Sequence, residues 1–311
     1  MKIISKITTF TVLIFLSISG VWAQTKLDEA KQLFVEGKSK KALEVLEKEM
    51  AKNGLDENSE NLKSRILIYV DGEKAWDHIQ KTIQKYPNSA GAYLSRGQFY
   101  YEIRQMQNSI NDLNRAYELC KDDSLKFDIL LSRSGAYHHS ETIEKSIADC
   151  QEALKIRPNN ISILNNLSTT FFDNGQVEES EKILLQIKVI DSNFIGTYIN
   201  LGYQMQQINK FDKAKKYLLE GLKIKPENAY LLNNLGYTEF KLGNMDEAIK
   251  YINKSLKIFP TNSYAYRNLA LIYFEKNDKA KACENISKSL SNNFTEMYGD
   301  EVKELKKKYC L

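Results

Sequence analysis

Apolar residues recur at intervals of three and four along most of the chain, in segments separated by short polar turns. In residues 229–262, for example, Leu232, Leu235 and Gly236 are followed by Ala248 and Ile252. This spacing places the apolar side chains on one face of a helix, which must then pack against another element. The pattern predicts two antiparallel helices in such a stretch, a helix A followed by a helix B.

The four prolines of the chain reveal a period. Pro226 and Pro260 are 34 residues apart, Pro158 and Pro226 are 68 apart, and Pro87 and Pro158 are 71 apart. The last spacing is twice 34 plus three residues, an insertion expected between 121 and 126. Proline lacks an amide proton and clashes with the preceding helical turn, so each is expected to end a helix B.

Small residues and glycines fit the same unit. Gly236 and Ala248 are expected where helices A and B approach closely. Gly175 and Gly243 follow a helix A and are expected to supply the positive φ angle of the turn to helix B.

The 34-residue pattern resembles that of the tetratricopeptide-repeat family. The resemblance covers nearly the whole predicted mature chain and implies an all-α, right-handed superhelical solenoid of about eight helix-turn-helix repeats. Two degenerate repeats are expected in 24–89, and a capping helix in 297–311. The six clearer repeats are expected at 90–126, 127–160, 161–194, 195–228, 229–262 and 263–296.

The N-terminus has the features of a secretory signal peptide. Lys2 and Lys6 precede an apolar stretch at 10–18, and Ala23 provides a small residue at the expected cleavage position. Residues 1–23 are therefore expected to be removed and the protein to be periplasmic or secreted, with no membrane insertion after cleavage. The alternative is a retained N-terminal membrane anchor, because the apolar stretch and its flanks carry no charge.

Charge and motif content narrow the function classes. The chain has 44 Lys and Arg against 40 Asp and Glu. Without Lys2 and Lys6 the counts are 42 against 40, which lacks the basic excess expected of a nucleic-acid-binding protein. The three histidines lack the spacing of metal ligands, and no phosphate-binding or nucleophile motif occurs. No catalytic residue, metal or cofactor is expected, and the chain is interpreted as a non-enzyme.

Four asparagines occupy the sixth position of successive repeats: Asn166, Asn200, Asn234 and Asn268. The family resemblance implies that helix A lines the concave surface, with this position pointing into the groove. The arrangement is similar to the asparagine ladder in the superhelix of O-linked N-acetylglucosamine transferase, in its repeats only. An amide there can donate to and accept from an extended peptide backbone. Alternatively, these side chains are solvated or brace neighbouring A helices.

Aromatic residues and one cation are expected beside these asparagines. Tyr203 and Tyr237 share the ninth position, Tyr230 and Tyr264 share the second, and Arg267 stands at the fifth. Tyrosines with amides suit an adaptable recognition surface. Arg267 is the only cation comparable to those that clamp a terminal carboxylate, so no such clamp is expected.

The sequence therefore predicts a protein–protein interaction scaffold that binds an extended peptide or protein segment in its groove. The alternative is a structural subunit or assembly factor of a cell-envelope or secretion complex that uses its edges or convex face. A third reading is carbohydrate or small-molecule handling.

The four cysteines allow three pairings. Cys283 is expected on helix B of the last repeat and Cys310 on the cap, so a bond between them would hold the end of the stack together. A Cys120–Cys150 bond is the other candidate, although Cys150 occupies a core position where a small buried apolar residue is expected.

Overall fold

The structure is a computed structural model that describes residues 26–53, 56–140 and 142–310. All regular secondary structure in these ranges is helical. The predicted signal peptide lies outside the described residues, and so does the alternative anchor. None of the helices in the described ranges combines the length and the apolar character that a membrane span requires.

The chain divides into two compact units, the first ending at Ile183 and the second running Leu184–Leu311. The helices of the first unit are α1 (Lys26–Val35), α2 (Ser39–Asn53), α3 (Glu57–Val70), α4 (Gly72–Lys85), α5 (Ala90–Glu102), α6 (Met106–Leu119), α7 (Asp123–His139), α8 (Ile143–Ile156) and α9 (Ile161–Asp173). The boundary falls within α10 (Val177–Ile190). Those of the second unit are α11 (Ile195–Gln207), α12 (Phe211–Ile224), α13 (Ala229–Lys241), α14 (Met245–Ile258), α15 (Ser263–Glu275), α16 (Lys279–Ser291), α17 (Phe294–Tyr298) and α18 (Glu301–Tyr309).

Within each unit, consecutive helices pack as A and B pairs, such as α5 with α6 and α13 with α14. Each helix B also contacts the helix A that follows it, as α12 contacts α13. Helix A meanwhile contacts the next helix A: α5 contacts α7, α11 contacts α13, and α13 contacts α15. The A helices of a unit are therefore neighbours along one face. The predicted all-α repeat fold is confirmed.

Glycine on helix A allows the two helices of a pair to approach. A Cβ added to Gly236 would lie 2.5 Å from Ile252 Cγ1 and 3.0 Å from the Ala248 carbonyl oxygen. One added to Gly202 would lie 2.6 Å from Leu218 Cγ. In both pairs the glycine and the large residue are 16 positions apart, so the same contact recurs in successive repeats.

The turn after helix A requires a positive φ angle at one position. Gly175 and Gly243 have φ of 77° and 86°, as predicted, whereas Asn209 and Asn277 hold the equivalent positions with φ of 58° and 57°. Asparagine tolerates this region better than other residues with a side chain. The four positions are 34 residues apart.

Each proline follows the end of a helix B by two residues, and a capping side chain follows two residues later. Pro226 comes after α12, and the Asn228 side chain then accepts a hydrogen bond from the Leu231 amide at 2.9 Å. Pro260 and Asn262 repeat the arrangement before α15. The short connection thus stops one helix and satisfies an amide at the start of the next.

The C-terminal segment contains two helices, so the prediction of a single capping helix is wrong. Gly299, with φ of 90°, separates α17 from α18. Phe294 and Val302 are fully buried beside Ala270 and Ile286, and so they cover the apolar face of the last helix pair. The polar side of α18 remains exposed, which is the usual condition at the end of a repeat stack.

The predicted bond between Cys283 and Cys310 is present, with the two Cα atoms 5.7 Å apart. It joins α16 to the residue that follows α18. Cys120 and Cys150 are free cysteines, so the alternative Cys120–Cys150 bond is not formed. Cys150 is buried among Leu130 and its neighbours as a small apolar side chain.

Gly236→Ala is expected to lower the free energy of unfolding by about 1–3 kcal/mol, because the new methyl group overlaps Ile252 and the Ala248 carbonyl. Gly72→Ala is the matched control, since nothing lies within 4 Å of its added Cβ. That variant should stay within about 1 kcal/mol of wild type. Urea denaturation of both variants measures the difference, and equal midpoints would contradict the close approach.

Removing the disulfide through Cys283→Ser and Cys310→Ser is expected to destabilise the C-terminal end by about 2–4 kcal/mol. Hydrogen exchange should show lost amide protection in α18 (Glu301–Tyr309) first, because the bond closes the loop that contains it. Cys120→Ser is the control and should leave this protection unchanged. A double variant with full protection of α18 would show that packing alone holds the helix.

Candidate functional site

A polar cavity of about 130 Å³ lies on the A-helix face of the second unit. Three consecutive A helices, α11, α13 and α15, supply its walls. The side chains that line it are Tyr203, Gln206, Gln207, Asn234, Tyr237, Tyr264, Arg267 and Asn268. On each helix they lie three or four residues apart, which is the spacing of one helical face.

Arg267 is the charged centre of this cavity. Its Cζ atom lies 5.7 Å from the ring centroid of Tyr237 and 5.3 Å from that of Tyr264. Its Nε donates to both carboxylate oxygens of Glu301 at 3.1 and 3.2 Å, and its Nη2 also donates to Glu301 Oε1. Its side chain is only 12% exposed. The cavity therefore contains a neutralised guanidinium between two rings.

Burial would lower the pKa of Arg267, but the hydrogen bonds to Glu301 and the field of nearby acidic groups outweigh it. The net result is a raised pKa, and Arg267 is charged at all physiological pH values. Burial also raises the pKa of the Tyr264 hydroxyl, which keeps it protonated, although the Arg267 charge acts in the opposite direction.

Two side-chain amides join the A helices beneath the cavity. Gln206 Nε2 donates to the backbone oxygen of Asn234 and to Thr238 Oγ1, both at 2.7 Å, and links α11 to α13. Asn268 Nδ2 donates to Asn233 Oδ1 at 3.1 Å and links α15 to α13. Buried amides with satisfied partners hold helices at a fixed distance and register.

The structure brings together six of the predicted groove residues: Asn234, Asn268, Tyr203, Tyr237, Tyr264 and Arg267. Tyr203 is 44% exposed and Asn234 is half-buried, so both can be reached from solvent.

Asn268 does not act as predicted. Its side chain is fully buried, donates to Asn233, and accepts from Arg267 Nη1 at 3.0 Å. The bracing alternative therefore describes this residue. The reason is local, because asparagine and arginine stand side by side at the fifth position of adjacent repeats and both reach its amide.

The remaining predicted groove residues lie away from the cavity. Tyr230 is 54% exposed and packs edge-on against Phe259, with ring centroids 6.1 Å apart. Asn200 is half-buried on α11 and does not line the cavity. Asn166 belongs to the first unit, where its Nδ2 donates to Ser134 Oγ at 3.5 Å.

Sequence reasoning missed Gln206, Gln207 and Glu301. The two glutamines follow Tyr203 by three and four residues, a helical spacing that indicates the same face. Glu301 follows Arg267 by 34 residues, so it continues the fifth-position series into the C-terminal segment. Both signals were present in the chain.

The cavity offers uncharged donors and acceptors beside aromatic faces. Tyrosine hydroxyls and the Asn234 amide can exchange hydrogen bonds with a peptide backbone. The rings of Tyr203 and Tyr237 can pack against apolar parts of a ligand. This combination suits recognition and provides no nucleophile with an adjacent base.

Family comparisons agree with the fold. Tetratricopeptide repeat models match residues 90–123, 195–228, 229–262 and 251–284. These matches and the solved structures of similar fold support the tetratricopeptide repeat family.

Similar proteins are known from several organisms. The peroxisomal targeting signal receptor of Candida albicans is 23% identical over 188 residues, which are 54% of this chain and 30% of the receptor. A tetratricopeptide repeat protein from Parabacteroides merdae has a TM-score of 0.68 at 15% identity, covering 82% of this chain and 99% of that one. Yeast Tom70 has a TM-score of 0.66 at 16% identity, covering 95% and 66%. The chain spans less than a third of the length of the curated receptor it matches.

Asn268→Ala is expected to cost about 1–3 kcal/mol of stability, because Asn233 Oδ1 loses its donor in a buried position. Asn234→Ala is the matched control on the next helix A and should change stability by less than about 0.5 kcal/mol, since its side chain is half-buried. Thermal unfolding of the two variants tests this. The reverse order would place Asn234, and not Asn268, in the bracing role.

Proposed function

We propose that the protein is a non-catalytic scaffold that binds an extended peptide or protein segment at the polar cavity of its second unit. The observation that carries this proposal is that three consecutive A helices converge six predicted groove residues on one cavity. A segment crossing successive A helices would meet Tyr203, Asn234 and Tyr237 in turn.

The accessible groups favour a ligand held through its backbone. The Asn234 side-chain amide makes none of the hydrogen bonds found among the described residues, and it keeps a donor and an acceptor for a peptide group. Each net hydrogen bond of this kind contributes about 0.5–1.5 kcal/mol. Because Glu301 already neutralises Arg267, the cavity presents no unpaired cation to an acidic group.

The relatives support a protein partner. The Candida albicans relative is named as a receptor for a targeting signal, which makes recognition of a protein segment a reasonable role for similar repeats. We further propose that the protein acts outside the cytoplasm, since the N-terminal sequence has the features of a signal peptide. The structural-subunit alternative would use surfaces other than this cavity.

The test is a selection of random linear peptides against the full chain, followed by measurement of the dissociation constants of the peptides that bind. The double variant Tyr203→Ala with Asn234→Ala should weaken them by about tenfold to a hundredfold, because it removes one ring contact and two hydrogen-bonding atoms. Circular dichroism verifies that helicity is unchanged.

Asn253→Ala is the matched control, since Asn253 is an exposed asparagine on α14, away from the cavity. It should leave the dissociation constants unchanged. Peptides that bind both the double variant and the control as they bind wild type would contradict the proposal and favour the structural-subunit reading.

A further inference from the structure

The first unit has a second cavity, of a different chemical kind. It has a volume of about 490 Å³ and lies between the beginning of α4 and the end of α5. Trp76, Phe99, Tyr100 and Ile103 supply its apolar lining, and Glu73, Asp77, Gly72 and Gln105 complete it. An inference about this cavity is independent of the function proposed for the second unit.

Three aromatic rings form its wall at mutually inclined angles. The Trp76 ring centroid lies 5.3 Å from that of Phe99 and 5.7 Å from that of Tyr100, with interplanar angles of 35° and 64°. Ile103 is 43% exposed beside them. Inclined rings surround a volume from more than one side, and their negative faces attract a cation, with tryptophan the strongest of the three.

Two carboxylates add negative charge at the same place. Glu73 and Asp77 are exposed on α4, three residues before Trp76 and one after it. Neither takes part in any ion pair found within the described ranges. The nearest arginine in sequence to the aromatic wall, Arg96, is bound to Asp112 through two hydrogen bonds and lies over Tyr93.

The comparison with other rings of the same unit is informative. Arg133 lies 4.3 Å from the Tyr117 centroid, and Arg157 lies 4.1 Å from that of Phe127. Among the described residues, no lysine or arginine lies in this way over Trp76, Phe99 or Tyr100. The aromatic wall with its two acidic neighbours is thus a cation site without a cation from the chain itself.

We propose that this cavity binds a basic side chain of a partner protein, in a segment where that residue adjoins an apolar one. The cation packs against Trp76 and Tyr100 and pairs with Glu73 and Asp77, while the apolar neighbour contacts Ile103. Arginine fits better than lysine, because its planar guanidinium both stacks on a ring and forks toward two carboxylates.

The fluorescence of Trp76 provides a direct test. The chain has two tryptophans, so Trp22→Phe in the full chain leaves Trp76 as the only one. The probes are the tripeptides Leu-Arg-Leu and Leu-citrulline-Leu with acetylated and amidated ends, because citrulline keeps the shape of arginine without its charge. The arginine peptide should change Trp76 fluorescence saturably and bind about fivefold or more tightly than the citrulline peptide.

Replacing the carboxylates separates the charge from the apolar wall. Glu73→Gln with Asp77→Asn should reduce the affinity for the arginine peptide to that for the citrulline peptide. The matched control is Glu178→Gln with Glu179→Gln, in the first turn of α10, which should preserve the difference. Added salt should weaken binding of the arginine peptide only.

Two results would overturn the proposal. One is a Trp76 signal that does not respond to the arginine peptide, and the other is equal affinity for both peptides in the wild-type cavity. Equal affinity would identify an apolar groove that does not select for charge. Since Glu73 and Asp77 are exposed, their replacement is not expected to unfold the chain, and circular dichroism verifies this.

Discussion

The close approach of helix A to helix B is the contact on which the rest of the structure depends. Gly202 against Leu218 and Gly236 against Ile252 leave no space for even a methyl group. A single pair cannot bury its own apolar face, so each must pack on the next. The distance set inside one pair therefore determines where the following helix A is placed, and an error would be passed along the unit.

The candidate site follows from this arrangement. The cavity exists because α11, α13 and α15 come to lie side by side, and the Gln206 and Asn268 amides maintain their register. The polar atoms that fasten the helices lie at the base, whereas Tyr203 and Asn234 remain accessible. Residues at equivalent repeat positions thus divide between support and recognition, according to which neighbours each one meets.

The fold could be predicted from the sequence because its signals are local and recur. The 34-residue spacing of prolines, the glycine of the A–B contact and the apolar faces all report on short-range constraints. The part of the site that escaped prediction depends on neighbours from other repeats. Asn268 was expected to face a ligand, but Asn233 and Arg267 are close enough to engage its amide. Glu301 lies past the last clear repeat, where the pattern weakens and α17 and α18 replace one expected helix. Likewise, Asn209 and Asn277 take a turn position where glycine alone was expected.

The Cys283–Cys310 bond has a consequence for the end of the second unit. In a linear array of repeats, the terminal element has a neighbour on one side only and detaches most readily. Here the segment that carries Glu301 lies inside a covalent loop, so when its contacts break it cannot diffuse away. The carboxylate stays at a high effective concentration near Arg267 and returns quickly. In a reducing environment the loop would open, and the same ion pair would have to reform from a free chain end. The redox state of the surroundings thereby sets how long Arg267 stays neutralised.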